Sequence, residues 1–101
     1  MDDRKLLELA AKAAGIDHPG GEHCVNGPAL WDCKALRWWQ PLTDDGDALR
    51  LAVKLHIRIW GPGHAETQEG RPCIEGESSN ENANTRRAIV RAAAEIGKDM
   101  P

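Results

Sequence analysis

Tryptophan and arginine are the residues of this sequence best suited to binding a ligand. Its large aromatic side chains are four tryptophans, since Phe and Tyr do not occur. They are Trp31, Trp38, Trp39 and Trp60, and Arg37 and Arg58 stand next to or near them. An indole stacks on a nucleobase and a guanidinium binds phosphate, so together they predict a nucleotide-binding face. Any single indole has the simpler alternative of filling volume in a small core.

The predicted ligand-binding residues combine these strand positions with one arginine of the last helix. They are Arg37, Trp38, Trp39, Arg58, Trp60 and Arg87. Successive side chains of a strand point to opposite faces, so one of the adjacent indoles Trp38 and Trp39 lies under a helix or in an interface. We expect the pocket to lie between subunits.

A group of carboxylates, Asp44, Asp45 and Asp47, has two interpretations. Clustered carboxylates bind divalent cations or act as a paired acid and base. These three also stand where a helix begins, and there a capping side chain and negative charge in the first turn are favourable. The second interpretation explains all three, so we predict that they are structural.

The remaining chemical candidates predict neither a metal site nor catalysis. His18, His23, Cys24 and Cys33 lack the two close ligand pairs that are typical of structural zinc sites. His23 and Cys24 are neighbours without an evident third group to orient them as base and nucleophile. Residues 61–64, Gly-Pro-Gly-His, follow a strand without opening a helix, which favours a hairpin turn over a phosphate loop. We predict no metal, no cofactor and no enzymatic activity.

Bulk properties predict one small intracellular domain over residues 1–101. The chain has 41% hydrophobic and 29% charged residues, which is ordinary for a folded domain. A net charge of −3 disfavours binding to bulk nucleic acid, which depends on clustered Lys and Arg. No segment has the roughly 20 apolar residues of a membrane helix, and the start lacks the apolar stretch of a signal peptide. Three cysteines at irregular spacing favour reduced, buried thiols in a cytosol.

The first half of the chain predicts a helix, a loop and one or two strands. Apolar residues recur at helical spacing over residues 3–14, with Asp2 or Asp3 as the cap and Gly15 as the stop. Residues 16–28 are rich in turn formers and predict a loop. Residues 29–39 alternate in polarity and predict a strand or two short ones.

A second helix is predicted at residues 45–55, capped by Thr43 or Asp44. Its polar positions form only a narrow stripe of Asp47, Arg50 and Lys54. A helix apolar on its other sides is predicted to be buried, covered by the sheet and by either another helix or a second subunit. We therefore expect a homo-oligomer.

The second half predicts two more strands and a last helix. Residues 56–60 alternate in polarity, and residues 72–75 predict an edge strand that closes a hairpin with residues 57–60. The last helix is predicted at residues 85–96, with Asn84 as the cap and Gly97 as the stop. The predicted fold is α+β, a small antiparallel sheet sandwiched by helices in the order α-β-α-β-β-α.

The central block resembles a family of small phage proteins, the NinX-like or phage ABA-sandwich group. That family has an aromatic-x-Pro block, an acidic pair, an Asp-Ala pair and an apolar helix. This sequence has them at residues 39–41, 44–45, 47–48 and 49–55. The terminal segments, residues 6–15 and 85–97, are similar to the family's first and last helices, and the likeness weakens at residues 17–34 and 61–84, where loops carry specificity.

The resemblance implies a viral accessory protein that works in the cytoplasm of an infected bacterium, and it implies no reaction. By analogy with other small phage proteins, we expect a protein that binds and sequesters a nucleotide-derived host immune signal. The alternative is an anti-CRISPR-like inhibitor or adaptor that binds a host defence protein through its acidic segment, residues 66–81, and its variable loops. An enzyme that degrades a nucleotide signal ranks last, because no paired nucleophile, base or metal motif is evident.

Overall fold

The computed structural model describes residues 2–18 and 24–100 of the chain. These residues contain three helices and six short strands. The elements are α1 (Asp3–Ala14), β1 (Val25–Asn26), β2 (Ala29–Asp32), β3 (Arg37–Trp39), α2 (Asp45–Leu55), β4 (Arg58–Gly61), β5 (His64–Glu66), β6 (Pro72–Ile74) and α3 (Glu81–Lys98). The predicted α+β class is confirmed, and the predicted order roughly matches the observed one. The structure adds β5 and also β1, which lies within residues 16–28, the predicted loop. His23, weighed above as a metal ligand, lies outside the described residues.

The strands form two antiparallel sheets, where a single sheet was predicted. The first has the order β1-β2-β3 and the second β4-β5-β6. Residues 29–39 fold as the hairpin of β2 and β3, in which Trp31 pairs with Trp38. Helix α2 separates β3 from β4 along the chain, and within the described residues no strand of one sheet pairs with the other. Alternating polarity identifies strands but does not specify their partners, which is why the division could not be predicted.

Helices α1 and α3 lie side by side and run in the same direction. Asp3 pairs with Arg87 at the start of α1, and Leu9, six residues further along α1, lies against Gly97, ten residues further along α3. Gly97 is buried within α3, where an added Cβ would overlap the Leu9 carbonyl oxygen. The prediction that Gly97 ends the helix is wrong, because this glycine serves a close approach of two backbones. Small residues on both helices fill the core here, namely Ala10, Ala11, Ala14, Ala88, Ala92 and Ala93.

Helix α3 begins at Glu81, four residues before the predicted start. Its cap is Asn80, whose side chain accepts a hydrogen bond from the Ala83 N–H. Asn84, the predicted cap, lies within the helix and exchanges hydrogen bonds with the Ser78 backbone. Both asparagines have the chemistry of a cap, and the first turn has no apolar periodicity to distinguish them.

Helix α2 has the predicted bounds but is buried on one face only. Its cap is Asp44, which accepts from the Asp47 N–H. The buried apolar residues are Ala48, Leu51 and Ala52, while Leu49 and Val53 are 58% and 68% exposed. Within the described chain this helix is therefore covered on one face, and the alternative that a second subunit covers its other apolar side chains stays a prediction.

The second sheet begins directly after α2. His56 ends the helix in the left-handed conformation, with φ of 56°. The predicted hairpin turn at residues 61–64 is confirmed, but β5 follows it, so β6 pairs with β5 and the predicted pairing of β6 with β4 is wrong. Strand β5 was missed because its three residues, His64–Glu66, are too short for a pattern. No helix in the described part of the chain has the length and apolarity to cross a membrane.

Candidate functional site

A buried carboxylate on α2 organises the most distinctive polar site of the described chain. Asp47 is 1% exposed, although it is a charged side chain in the first turn of a helix. Its Oδ2 accepts a hydrogen bond from the Gln40 N–H at 3.0 Å, just after the end of β3. A buried charge is costly unless it is paired and hydrogen-bonded, and here it is both.

Two arginines supply the compensating charge. Arg37 Nη1 lies 3.0 Å from Asp47 Oδ1, and Arg37 Nη2 donates to Oδ2 at 3.3 Å. Arg50 Nη2 donates to Oδ1 at 2.7 Å and lies 3.7 Å from the Asp44 carboxylate. The side chains of Arg37 and Arg50 remain 47% and 63% exposed, so both cations face solvent while their shared counter-ion does not.

The network lowers the pKa of Asp47. Burial acts in the opposite sense, because it penalises the charged form. The hydrogen bonds from Arg50 and from the Gln40 N–H, together with the charge of Arg37, outweigh burial and hold the pKa below its ordinary value. Asp47 is therefore an anion that positions two guanidinium groups, and it is poorly suited to act as a general base near neutral pH.

A pocket of about 190 Å³ opens beside this network, between the end of α1, β3 and α2. Trp39, which is buried, and Leu51 contribute apolar surface, and Arg37, Arg50 and Lys54 contribute three cations. No carboxylate of the described residues pairs with the Lys54 ammonium. The lining therefore combines an indole with three cations, one more than its two buried carboxylates, Asp47 and Asp32.

The structure brings two of the six predicted ligand-binding residues, Arg37 and Trp39, to this pocket. Trp38 points to the opposite face of β3, as strand alternation predicts. There it meets Trp31 of β2 edge to face, with ring centroids 5.3 Å apart. Trp38 is only partly buried, so the two indoles form an aromatic pair on the outer face of the first sheet.

Arg58 and Trp60 lie on β4 of the second sheet. Both are exposed, and Trp60 is 61% exposed. The Trp60 Nε1–H donates to the Glu66 carboxylate, and Arg58 is opposite Glu66 in the register of β4 and β5. These two residues therefore belong to a different surface from the pocket of Arg37 and Trp39.

Arg87 of α3 is half-buried within a network of ion pairs. Its Nη1 is 2.6 Å from Asp3 Oδ1 and its Nε is 3.0 Å from Glu75 Oε1. Glu75 also accepts from Arg91. The hydrogen bond to Asp3 and the nearby carboxylates raise the pKa of Arg87, despite partial burial. Its charge is thus already balanced within the chain, and it does not join the other predicted residues.

Among the described residues, no three His, Cys, Asp or Glu side chains group closely enough to hold a metal ion. Cys24 and Cys73 are buried, Cys33 is half-buried, and all three are free thiols. Burial raises the pKa of Cys73, partly opposed by the charge of Arg91. Cys73 is therefore a protonated thiol near neutral pH, the form that is a poor nucleophile.

Sequence reasoning missed Asp47, Arg50 and Lys54 as site residues. The signal was available, since these three residues form the narrow polar stripe of an otherwise apolar helix. Asp47 lies in the first turn of α2, as predicted, but the prediction missed that its side chain is buried against Arg37 and Arg50. Asp44 alone performs the capping role that was predicted for the carboxylates.

No known protein family, curated protein or solved structure matches this chain. The resemblance to the NinX-like phage proteins remains a prediction, and it rests on the residues given above. What the described residues define is an α+β chain with a cationic, indole-lined pocket between its first sheet and α2.

Proposed function

We propose that the protein is a non-enzymatic binder of a phosphorylated, nucleotide-type ligand, held in the pocket of Arg37, Trp39, Arg50 and Lys54. One observation carries the proposal. Three cationic side chains, Arg37, Arg50 and Lys54, line the pocket, while Asp47, the counter-ion of the two arginines, is 1% exposed and held on the protein side. A phosphate approaching from solvent meets the cations first, and Arg and Lys are the side chains that bind phosphate most strongly.

Asp47 positions the two arginines for such a contact. Arg37 uses part of its guanidinium on Asp47, and Arg50 pairs with Asp47 and, at 3.7 Å, with Asp44, while both side chains remain about half exposed. A guanidinium has five donors, so a pairing with one carboxylate leaves further donors for a second anion. Because Asp47 fixes both groups before a ligand arrives, less side-chain entropy is lost on binding.

The size of the pocket limits what enters it. Its volume of about 190 Å³ is below the roughly 300–1,000 Å³ of pockets that enclose a drug-sized molecule. We expect it to hold one phosphate and the ring nearest to it, with Trp39 as the apolar wall, while the rest of the ligand lies outside. A ligand held in this way is sequestered without any bond being broken.

The carboxylates of the pocket support binding over catalysis. Asp47 is committed to Arg37 and Arg50, and Asp32 Oδ1 accepts from the backbone N–H groups of Lys34 and Ala35 in the turn after β2. A general base must be available to the reacting group. Sequestration of a ligand requires no proton transfer by Asp47 or Asp32.

The biological setting that we propose follows from the phage resemblance. The protein would act in the cytoplasm of an infected bacterium and lower the free concentration of a nucleotide-derived immune signal. Such a role requires affinity and abundance only.

Thermal unfolding tests the proposal directly. The purified protein is heated with a panel of cyclic mononucleotides, cyclic dinucleotides, cyclic ADP-ribose-type molecules and inorganic phosphate. A ligand that binds only the folded state raises Tm. At a ligand concentration of 100 times Kd, the free energy of unfolding rises by about 2.7 kcal/mol. Lys54→Ala should abolish or sharply reduce the shift, whereas Lys5→Ala, an exposed lysine on α1, should leave it unchanged.

The proposal would be wrong if no member of the panel shifted Tm, or if Lys54→Ala bound as tightly as the wild type. Recovery of a chemically altered molecule from the incubation would instead identify an enzyme. Mass spectrometry of the molecule released by denaturation from protein made in defence-active cells would name the natural ligand.

A second function, inhibition of a host defence protein, has one observation in its favour. The acidic segment, residues 66–81, includes Glu69, Glu77 and Glu81, which are exposed and form no ion pair within the described residues. Such a surface suits a basic partner. Co-purification of one stoichiometric host protein, lost when these three glutamates are replaced by glutamine, would favour this function over ligand binding.

A further inference from the structure

The described surface outside the pocket has a second unusual feature, which is an apolar ridge on α2 beside an open sheet edge. We propose that two copies of this chain form a symmetric dimer through it, with β4 pairing antiparallel to β4 of the partner subunit. The α2 helices of the two copies then face each other alongside the joined sheets. The inference does not depend on what the pocket binds.

The ridge on α2 consists of Leu49 and Val53, one helical turn apart and 58% and 68% exposed. Next to it, Leu49 lines an apolar groove with Ile59 of β4 and Ile89 of α3. Ile59 is itself 45% exposed. Adjacent exposed apolar side chains of this size on a small protein are typical of interaction sites.

Strand β4 is the open edge next to that groove. The strand order β4-β5-β6 leaves one side of β4 without a partner in the described chain. Edges are usually guarded by lysine, proline or a bulge. Arg58–Trp60 contains no lysine or proline. A register shift places Trp60 in a bulge between Ile59 and Gly61, so of these three residues Arg58 and Ile59 have regular partners on β5.

The three residues are complementary to themselves. In an antiparallel pair centred on Ile59, this residue lies opposite Ile59 of the partner subunit, on the side of the sheet that holds Leu49. Arg58 then lies opposite Trp60 of the partner subunit, on the other side. Directly opposite side chains have Cβ atoms about 4.5–5.5 Å apart, close enough for a cation–π contact between guanidinium and indole. The two-fold axis produces that contact twice.

The position of Trp60 within one chain supports this register. Its Nε1–H is held by Glu66, which also lies opposite Arg58 across β4 and β5. The indole is therefore oriented before association, and a carboxylate, a guanidinium and the partner's indole follow one another across the joined sheet. The α2 ridge is also self-complementary, since in an antiparallel crossing Leu49 of one copy meets Val53 of the partner subunit. A second copy of this chain is complementary to both the β4 edge and the α2 ridge, and we therefore propose it as the partner.

The oligomeric state and one pair of variants test the dimer. Light scattering on a gel-filtration column should give twice the chain mass of 11.1 kDa for the wild type. Val53→Glu should halve that mass, because it places charge in the centre of the ridge. Ile74→Glu is the matched control, since Ile74 is 66% exposed on β6, the opposite edge of the same sheet, and this variant should remain a dimer.

A cysteine at the two-fold axis tests the register. Ile59→Cys, oxidised under mild conditions, should yield a disulfide-linked dimer on a non-reducing gel, whereas Ile74→Cys and the wild type with its three natural cysteines should not. Circular dichroism and Tm show that each variant is folded. The proposal is overturned by a monomeric wild type at high micromolar concentration, by a dimer that survives Val53→Glu, or by a dimer that Ile74→Glu dissociates. Failure of Ile59→Cys to cross-link a proven dimer would overturn the β4 register.

Discussion

Arg50 donates a hydrogen bond from Nη2 to Oδ1 of Asp47 at 2.7 Å, and the two residues lie three positions apart on α2. The same Asp47 oxygen faces Arg37, which comes from β3. One carboxylate therefore joins the first sheet to the second helix and at the same time positions the cations of the pocket. Stability and the proposed ligand binding therefore depend on the same side chain.

Replacement of Asp47 by asparagine should destabilise the protein. Asparagine keeps the shape but leaves Arg37 without its counter-charge and Arg50 with only the more distant Asp44. Removing one partner of a fully buried pair costs about 3–5 kcal/mol, and because both arginines are half exposed we expect about 1–3 kcal/mol. Urea unfolding measures the change. Asp45→Asn, an exposed residue paired with Arg86, should cost less than about 1 kcal/mol. Equal losses for the two variants would contradict this account.

The pKa of Asp47 predicts how stability depends on pH. Its folded-state pKa is lower than the ordinary value, because the bonds from Arg50 and Gln40 and the charge of Arg37 outweigh burial. The associated stability is fully present above the unfolded-state pKa of about 3.9, and it is lost as pH falls through the folded-state pKa. The stability difference between wild type and Asp47→Asn should therefore be constant above about pH 5 and narrow below about pH 4. A difference that does not narrow in acid would show that charge is not its origin.

Gly97→Ala should destabilise the protein even though alanine is the better helix former. Helix propensity alone favours alanine by about 1 kcal/mol. The added Cβ would overlap the Leu9 carbonyl oxygen, and forced repacking of this kind costs about 1–3 kcal/mol. We expect a lower Tm. In Gly46→Ala the new Cβ meets side-chain atoms only, those of Arg50 at 3.2 Å and of Asp44 at 3.3 Å, so Tm should fall less than in Gly97→Ala, where it meets backbone. A stabilised Gly97→Ala would mean that α1 and α3 are less closely packed.

Asn80→Ala tests the observed start of α3. The Asn80 side chain accepts from the Ala83 N–H at 3.1 Å, and loss of such a cap costs about 1 kcal/mol. Asn82→Ala, two residues further on and exposed, should change stability by less than about 0.5 kcal/mol. Thermal unfolding of both variants checks the assignment. If Asn82 proved the more costly position, the helix would begin elsewhere.

Local patterns predicted the helices well and the tertiary relationships poorly. The bounds of α1 and α2 agree with the prediction, because Asp2 and Asp44 are strong caps and Gly15 is a strong stop. Gly97 looked like a further stop, and only the approach of α1 explains why it lies inside a helix. Whether a glycine ends a helix or admits a neighbour depends on contacts distant in sequence.

The site was predictable only in part, because it also depends on contacts between residues distant in sequence. Arg37 and Trp39 were identified by residue type, which reports what a side chain can bind. That Arg37 and Trp39 line the same pocket as Arg50 and Lys54 depends on how α2 packs against β3. Residue type also placed Arg58 and Trp60 in the same group, although they belong to the other sheet.

The parallel arrangement of α1 and α3 has a consequence for how the protein folds. The ion pair of Asp3 and Arg87 joins residues 84 positions apart, and the core between the two helices forms only when that long loop has closed. Closing a long loop costs chain entropy before the contacts repay it, and proteins rich in such contacts fold more slowly than bundles of sequential helices. The rate-limiting step should therefore be the meeting of the first helix with the last, while the two hairpins form earlier.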